Sequence, residues 1–380
     1  MLSWRIENIL DRIVKDMPKY TPYELGSICT RLSSGKGIPA KQVLEEGTFP
    51  VYGGNGLRGY ADHSNFKGEC AIIGRQGAFC GNVRYFSGEA YMTEHAVVVC
   101  ANDDNSTRYL SYLLSLMNLR RLSGQSAQPG LSVKTLAKQI VELPPLDIQN
   151  KVVSILSGIE SKIVINEKIN DNLAELLQTV YQERFGDVSA AAEKGILSDI
   201  CSYSRDRVAV SGLNSKTYFS TENMLPEKAG ATEATSLPTT PQTTACHKGD
   251  TLVSNIRPYF KKIVYCEDEC GCSTDVLCFT PVQPKYASYL FSTLFADKFF
   301  AFMVAGSKGT KMPRGDKQQI MSYPVTLPSD DELDDFNALA LPILAQLHSK
   351  KAENKSLEAA RDALLPKLIS GEIDVSTIQL

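Results

Sequence analysis

Hydrophobic positions recur on a count of seven through residues 147–186, DIQNKVVSILSGIESKIVINEKINDNLAELLQTVYQERFG. One stripe holds Val152, Ile159, Asn166, Leu173 and Val180, and a second holds Ile148, Ile155, Lys162, Ile169 and Leu176. A 3-4 spacing kept for about five heptads predicts one long amphipathic helix with a coiled-coil face, and such a face needs a partner helix. Residues 336–368 supply one. Their stripes are Ala340, Leu347, Asn354, Arg361 and Leu368, then Phe336, Ile343, Lys350, Leu357 and Leu364. An offset of 188 positions sets Asn354 on Asn166, Lys350 on Lys162 and Ser349 on Ser161. Matching polar interruptions arise by chance less readily than matching leucines, and an Asn inside an apolar seam fixes register at a cost in stability. The predicted seam is therefore Ile155, Ile159, Asn166, Ile169 and Leu173 against Ile343, Leu347, Asn354, Leu357 and Leu364.

Helix ends follow from the flanks. Asp147 is the expected N-cap and Gly186 the expected C-cap of the first helix, and Ser329 with Glu332 makes a capping box for the second. Pro342 lies inside the second run, where it removes a backbone donor and crowds the preceding turn. The pattern thus predicts a kink there, or a short helix from Asp330 that ends where the long one begins, with an unbroken part of about 24 residues before Pro366.

Shorter runs surround the helices. VYGGNGLRGYAD (51–62) reads as a turn between short strands, GECAIIGRQGAFCGNVRYF (68–86) as two strands around a glycine-rich connection, and TEHAVVVC (93–100) as a buried strand. A short helix over 107–123 follows, and LSVKTLAKQIVELPPL (131–146) leads through paired prolines into the long helix. The second half repeats this order. LSDICSY echoes LGSICTR 172 positions on, while KGDTLVSNIRPYFKKIVY and STDVLCFTP stand 181 positions beyond their counterparts. The predicted fold class is α+β, a tandem duplication with a pseudo-two-fold: two similar globular domains separated by two long antiparallel coiled-coil helices. The boundaries are 1–20 for an N-terminal amphipathic helix, 21–145 and 196–328 for the globular domains, 146–195 for the first long helix and linker, and 329–380 for the second helix and tail. The N-terminal helix has no counterpart in the second half and is expected to dock near the C-terminal end of the second long helix.

Composition adds constraints. At 380 residues the chain can hold two sizeable cores, and 43% hydrophobic with 22% charged residues is ordinary for a soluble globular protein. No apolar run approaches about 18 residues, and the acid-bearing start MLSWRIENILDRIVKDM does not resemble a signal peptide, so no membrane span and a cytoplasmic location are expected. The net charge of −3 hides a pattern: 16 basic and 13 acidic side chains in 1–145 (+3), 14 and 12 in 196–328 (+2), against 5 and 8 in 146–195 (−3) and 5 and 10 in 329–380 (−5). The globular parts are the ones suited to approach a polyanion. Cys266, Cys270 and Cys272 lack CxxC spacing or a nearby His pair, and Cys246-His247 stands apart, so no metal site is expected. Cys29, Cys70, Cys80 and Cys100 lie in or beside apolar runs, and the ten cysteines read as reduced, buried thiols. No GKS or GKT phosphate loop is present, LPPL lacks the Asn or Asp of an adenine-methyltransferase tetrapeptide, and GRQGAFCG precedes a strand rather than a helix. The chain is expected to carry no catalytic residues.

Two different heads on a helix pair can touch two unlike sites across a gap: about 38 helical residues span roughly 57 Å, against roughly 34 Å for a turn of duplex DNA. At this point the order of elements resembles the specificity (S) subunit of type I restriction-modification enzymes, over essentially the whole chain. The segments that carry the resemblance are VYGGNGLRGY, IIGRQGAFCGNV and TEHAVVV, then YFSTENM, GDTLVSNIRPYFKKI and CSTDVL, and above all RDALLPKLISGEID at 361–374. The resemblance implies two target recognition domains that read a split, asymmetric double-stranded DNA sequence across a fixed gap. It also implies helices that dock two methyltransferase subunits, further restriction subunits, and no cofactor here, with S-adenosylmethionine on the methyltransferase partner. DNA contacts are expected from Asn55, Arg58, Arg75, Gln76, Asn82, Arg84 and Lys134 in the first half. In the second they are expected from Asn255, Arg257, Tyr259, Lys261, Lys262, Ser307, Lys308, Lys311 and Arg314. Arg forks onto guanine, Asn and Gln onto adenine, and Lys mostly neutralises phosphate. The competing reading is a non-catalytic two-headed coiled-coil adaptor that binds proteins and no DNA.

Overall fold

The computed structural model describes residues 20–123, 130–186 and 193–378. The predicted N-terminal helix lies outside the described residues. The chain divides into two compact units, Met1–Ile163 with Lys355–Leu380, and Val164–Asn354. Each takes in one sheet domain together with a part of both long helices.

In the first unit the strands are β1 (Thr21–Glu24), β2 (Cys29–Ser34), β3 (Phe49–Gly53), β4 (Gly56–Ala61), β5 (Phe66–Gly74), β6 (Val83–Met92) and β7 (Ala96–Ala101). Helices α1 (Thr107–Leu116) and α2 (Val133–Ala137), strand β8 (Ile140–Leu143) and the long helix α3 (Leu146–Tyr181) follow. Six strands form one sheet in the order β2-β7-β5-β6-β3-β4, and β1 pairs with β8. The second half of β5, from Cys70 to Gly74, and strand β7 are apolar because both faces are covered. Ala71, Ile73, Val97 and Val99 meet the helices, while Cys70, Ile72, Ala96 and Val98 face a second core with Phe66 and Met92. Ser106 caps α1 by accepting from the Tyr109 amide at 3.2 Å.

The second unit contains β9 (Lys194–Ile196), α4 (Leu197–Ile200), β10 (Cys201–Tyr203), β11 (Arg207–Ala209), β12 (Tyr218–Phe219), β13 (Gln242–Cys246) and β14 (Thr251–Ser254). Then come β15 (Ile263–Tyr265), β16 (Cys270–Cys272), β17 (Val276–Pro281), α5 (Ala287–Phe295), α6 (Asp297–Ala305), α7 (Lys317–Met321), β18 (Pro324–Thr326) and α8 (Asp330–Ile369). Its main sheet runs β10-β17-β14-β15, the order β2-β7-β5-β6 of the first unit with each strand replaced by its repeat counterpart, so the duplication read from the sequence is present in the topology. A second four-stranded sheet runs β11-β13-β16-β12. Among the described residues no single helix is long and apolar enough to cross a membrane; α5 and α6 pass that test only as a pair bent by 66°, and both contribute to the buried core.

Both long helices form. In the first unit Ile148, Val152 and Leu156 of α3 share a core with Leu368 and Ile369 of α8, and the Lys151 ammonium donates to the Ser376 carbonyl at 2.5 Å. In the second, Leu177 and Tyr181 share a core with Phe336, Ala340 and Leu344. There Asn166 is fully buried and donates to Asn354 Oδ1 at 2.8 Å and to Glu353 Oε2 at 3.0 Å. Within that unit the two helices run antiparallel: the 166 end of α3 meets the 354 end of α8, and the 177–181 end meets 336–344.

Four details differ from the pattern. Ile155, Ile159, Ile169, Leu173, Ile343, Leu347, Leu357 and Leu364 are half-buried, and the second α3 stripe falls one residue on, at Leu156, Ile163 and Leu177. Adjacent pairs such as Ile155-Leu156 and Leu176-Leu177 satisfy either count, and a helix that also covers a globular core buries a stripe wider than a coiled-coil seam. Helix α8 continues through Pro342 and Pro366 for 40 residues; Pro342 is exposed, and the buried Phe336, Ala340 and Leu344 anchor the helix on both sides of the lost bond. Asp147 lies in the first turn of α3 instead of capping it, since the Pro145 carbonyl accepts from Ile148 and Gln149 at 3.0 and 3.1 Å. Gly186 ends a π-helical turn, Gln182–Gly186, and is absent from the positive-φ glycines. The Ser329–Glu332 box forms, with Glu332 Oε2 accepting from the Ser329 amide at 2.8 Å.

Candidate nucleic-acid interface

Strand β5 ends at Gly74, and the next residue, Arg75, is fixed by its backbone. Its N–H donates to the His95 carbonyl at 2.9 Å and its carbonyl accepts from the Leu131 N–H at 2.8 Å. Gln76 bridges Gly130. The β3–β4 hairpin tip lies on this station: a Cβ on Gly54 would come within 3.0 Å of the His95 carbonyl oxygen and 3.4 Å of Gly74 Cα. At Gly56, where φ is +97°, it would sit 3.2 Å from the Arg84 guanidinium carbon, so only glycine suits that turn. Asn55, Arg58, Arg75, Gln76, Asn82 and Arg84 thus lie on the chain segments that meet at this junction, with the Arg84 guanidinium against Gly56 and the Arg58 Cδ beside Gly53. Arg75 Nη1 donates to Ser34 Oγ at 3.3 Å, and among the described residues no ion pair engages Arg58, Arg75 or Arg84. Lys134 is exposed on α2, which begins two residues beyond Leu131.

The second unit repeats this station with other side chains. Asn255 follows β14 as Arg75 follows β5; its N–H donates to the Asp275 carbonyl at 2.9 Å and its carbonyl accepts from the Gly315 N–H at 3.3 Å. Ile256 bridges Arg314 as Gln76 bridges Gly130. The sequence runs 255–262 and 306–316 are thereby brought together, with Arg257 N–H donating to the Pro313 carbonyl at 2.8 Å and Lys308 bridging Arg314. Arg257 and Lys261, both at φ 51°, flank the turn Pro258–Phe260 in a conformation few side-chain-bearing residues adopt. Tyr259 is exposed, as are Lys308, Lys311 and Arg314; Ser307 donates to the Val304 carbonyl at 2.7 Å.

Its electrostatics differ. Lys261 pairs with Asp297 at 3.0 Å and with Glu227 at 4.0 Å, Lys308 with Asp316 at 2.6 Å, and Arg314 with Asp275 at 3.0 Å. Lys262 donates to the Thr221 carbonyl at 2.6 Å, and burial lowers its pKa. The Asp297 carboxyl is held below the usual range by Lys228 first and Lys261 second. Asn255 is 7% exposed and its Oδ1 has no hydrogen-bond partner among the described residues. These carboxylates went unread in the sequence. Asp316 was visible two residues after Arg314, whereas Asp275 lies 39 positions away and reaches Arg314 only through the β17 ladder.

A duplicated α+β scaffold, with polar loops held at corresponding backbone stations in its two domains, is the class of protein these features define. Residues 17–175 match the family described as type I restriction modification DNA specificity domain. The chain is 37% identical over 141 residues to the type I restriction enzyme EcoprrI specificity subunit of Escherichia coli, a match covering 36% of this chain and 35% of that protein. It is 27% identical over 160 residues to the type I restriction enzyme MpnII specificity subunit of Mycoplasma pneumoniae, covering 40% and 48%. The chain thus spans about a third to a half of the length of these relatives. The S subunit of a type I restriction-modification system from M. genitalium shares the fold, with TM-score 0.62 and 17% identity over 93% of this chain and 96% of that one.

Proposed function

We propose that the chain is the DNA-reading subunit of a type I restriction-modification complex, with each sheet domain contacting one half of a split, asymmetric double-stranded target. The observation that carries this is the paired station: Arg75 in one domain and Asn255 in the other hold the same backbone position beside basic, glycine-rich loops. Arg suits guanine and Asn suits adenine, so equivalent stations with unlike residues fit unlike half-sites. Catalysis then belongs to partners. Two methyltransferase subunits, carrying S-adenosylmethionine, would dock on the helices, where Ile165 and Leu176 of α3 are about half exposed and eleven positions apart, hence on one helix face. Restriction subunits would join that core, and the complex would work in the cytoplasm with the DNA.

The test is a methylation map of DNA from cells expressing the chain with its methyltransferase subunit, against cells lacking only the chain. A split adenine-methylated motif with a constant gap, lost without the chain, is expected. Identical maps would overturn the reading in favour of the protein adaptor. Affinity for the mapped duplex should also fall steeply between about 50 and 200 mM salt.

A further inference from the structure

Beyond Arg75 and Asn255 the two loops keep the same backbone path. Gly77 and Gly81 in the first unit have φ of 74° and 85°, and Arg257 and Lys261 hold the corresponding places in the second, each at 51°. The backbone bonds correspond as well. Gly74 N–H donates to the Asn82 carbonyl at 2.8 Å and Cys80 N–H to that of Gly77 at 3.1 Å. Ser254 N–H donates to the Lys262 carbonyl at 3.1 Å and Phe260 N–H to that of Arg257 at 2.9 Å. The second loop thus keeps the path with two side-chain-bearing residues in the left-handed region, against their own preference. Midway between the left-handed positions each loop carries one aromatic residue, Phe79 in the first and Tyr259 in the second.

Both rings face water: Phe79 is 41% exposed and Tyr259 47%, whereas Cys80, next to Phe79, is 3% exposed. A single exposed aromatic is ordinary. Two at equivalent places of a duplicated fold, within the otherwise unlike runs RQGAFCGN and NIRPYFKK, mark a use outside the core. Charge narrows that use. Arg75 and Arg84 flank the first turn in the sequence, and Arg257, Lys261 and Lys262 the second. Lys262 Nζ stands 5.9 Å from the centre of the Phe260 ring, itself 4.7 Å from that of Tyr259. An exposed ring among basic side chains suits the flat face of a base on a polyanion better than it suits an apolar peptide.

We propose that Phe79 and Tyr259 are stacking residues, each laying its ring against a base of the half-site that its own domain contacts; the inference rests on the DNA-reading function proposed above. A ring reaches a base face in a duplex only where a base step is opened, so each acts as a wedge in its half-site. Stacking tolerates every base. The wedges therefore supply affinity and a distorted step, while selection among bases stays with Arg75 and Asn255.

The experiment measures binding of the full chain with its methyltransferase subunit to a duplex carrying the mapped target. It then repeats the measurement on duplexes in which each half-site nucleotide in turn is abasic. Phe79→Ala should weaken binding to the intact duplex by about 5- to 150-fold. At one abasic position in one half-site that loss should vanish, because the ring has no base to stack on. Tyr259→Ala should behave in the same way in the other half-site. Phe79→Tyr and Tyr259→Phe keep the ring and should bind as the unaltered chain does, whereas leucine at either place should lose nearly as much as alanine. Leucine variants that bind like the unaltered chain would overturn the stacking role, and so would a loss that no abasic position removes. Full binding by both alanine variants would sink the wedges and leave the DNA-reading function standing. Failure of the unaltered chain to bind any duplex would remove that function, and the inference with it.

Discussion

The two sheet domains share strand order and backbone stations, yet they manage charge in opposite ways. In the first, no ion pair among the described residues engages Arg58, Arg75 or Arg84; in the second, Lys261, Lys308 and Arg314 each sit against a carboxylate. The repeats share this backbone path because the sheets and the following helix need it, while the side chains at the junction differ. An exposed ion pair contributes little stability, about 0–1 kcal/mol. The acids of the second domain therefore matter more for what the bases do when a polyanion arrives than for holding the fold. On the proposed function, the bases of the first domain meet a phosphate directly, whereas those of the second first exchange an internal partner.

The sharpest way to break this contrast is to remove the paired stations one at a time. Arg75→Ala should cost about 1–3 kcal/mol of DNA binding and relax base preference in one half-site only. Asn255→Ala should spare that half and change the other. Both are read by methylation mapping with randomised half-sites. Relaxation of both halves by either change would mean that the two stations do not serve separate half-sites.

A seam substitution separates contact from stability. Asn166→Leu removes the amide that donates to Asn354 and Glu353 and places methyl groups against their oxygens, for an expected loss of about 1–2 kcal/mol. Asn166→Leu with Asn354→Leu should recover most of it, measured by denaturant midpoints. A single change without effect would remove the amide network from the account of register.

That pairing shows what was legible in the sequence. Asn166 and Asn354 could be matched because an antiparallel pair of repeated helices brings equivalent residues together at one level, and a buried amide there is conspicuous among Ile and Leu. The flanking stripe was not fixed to the residue, since Ile155-Leu156 and Leu176-Leu177 offer two neighbours each and burial, a tertiary property, selects one. Pro342 was legible as a break only on the assumption that local backbone chemistry outweighs the core contacts of Phe336 and Leu344. At the candidate interface the glycine-rich loops and their bases were visible, whereas Asp275 and Asp297 reach them across ladders and helices that no local pattern encodes.

A smaller effect comes from freeing one base of the second domain. Asp275→Asn leaves the loop's backbone bonds in place and releases Arg314, so DNA affinity should rise by up to about 1 kcal/mol and the salt dependence should steepen by about one phosphate contact. His95 occupies the corresponding station in the first domain, and His95→Asp should import the restraint there and weaken binding by a similar amount. Titrations at several salt concentrations read both. A weaker Asp275→Asn complex would instead make the carboxylate a positioning group that aims Arg314.

The smallest expected effect is one of pH, and it too divides the domains. In the second, His247 lies against Glu269 at 2.6 Å and Asp206 at 3.1 Å, which hold its imidazole above the ordinary His pKa, Glu269 first. A raised folded-state value stabilises the protonated form, so the contribution is fully present below about pH 6.5 and is lost as pH rises through the folded value. The ring is partly exposed, and solvent screening holds the effect to a few tenths of a kcal/mol. Hydrogen exchange at the β13 and β16 amides, corrected for intrinsic rates, should therefore show protection declining slightly from about pH 6 to 8. His247→Gln should abolish the decline while β5 and β7 of the first domain stay flat in both proteins. Protection that rises with pH at β13 would mean that the neutral imidazole is the form this fold prefers.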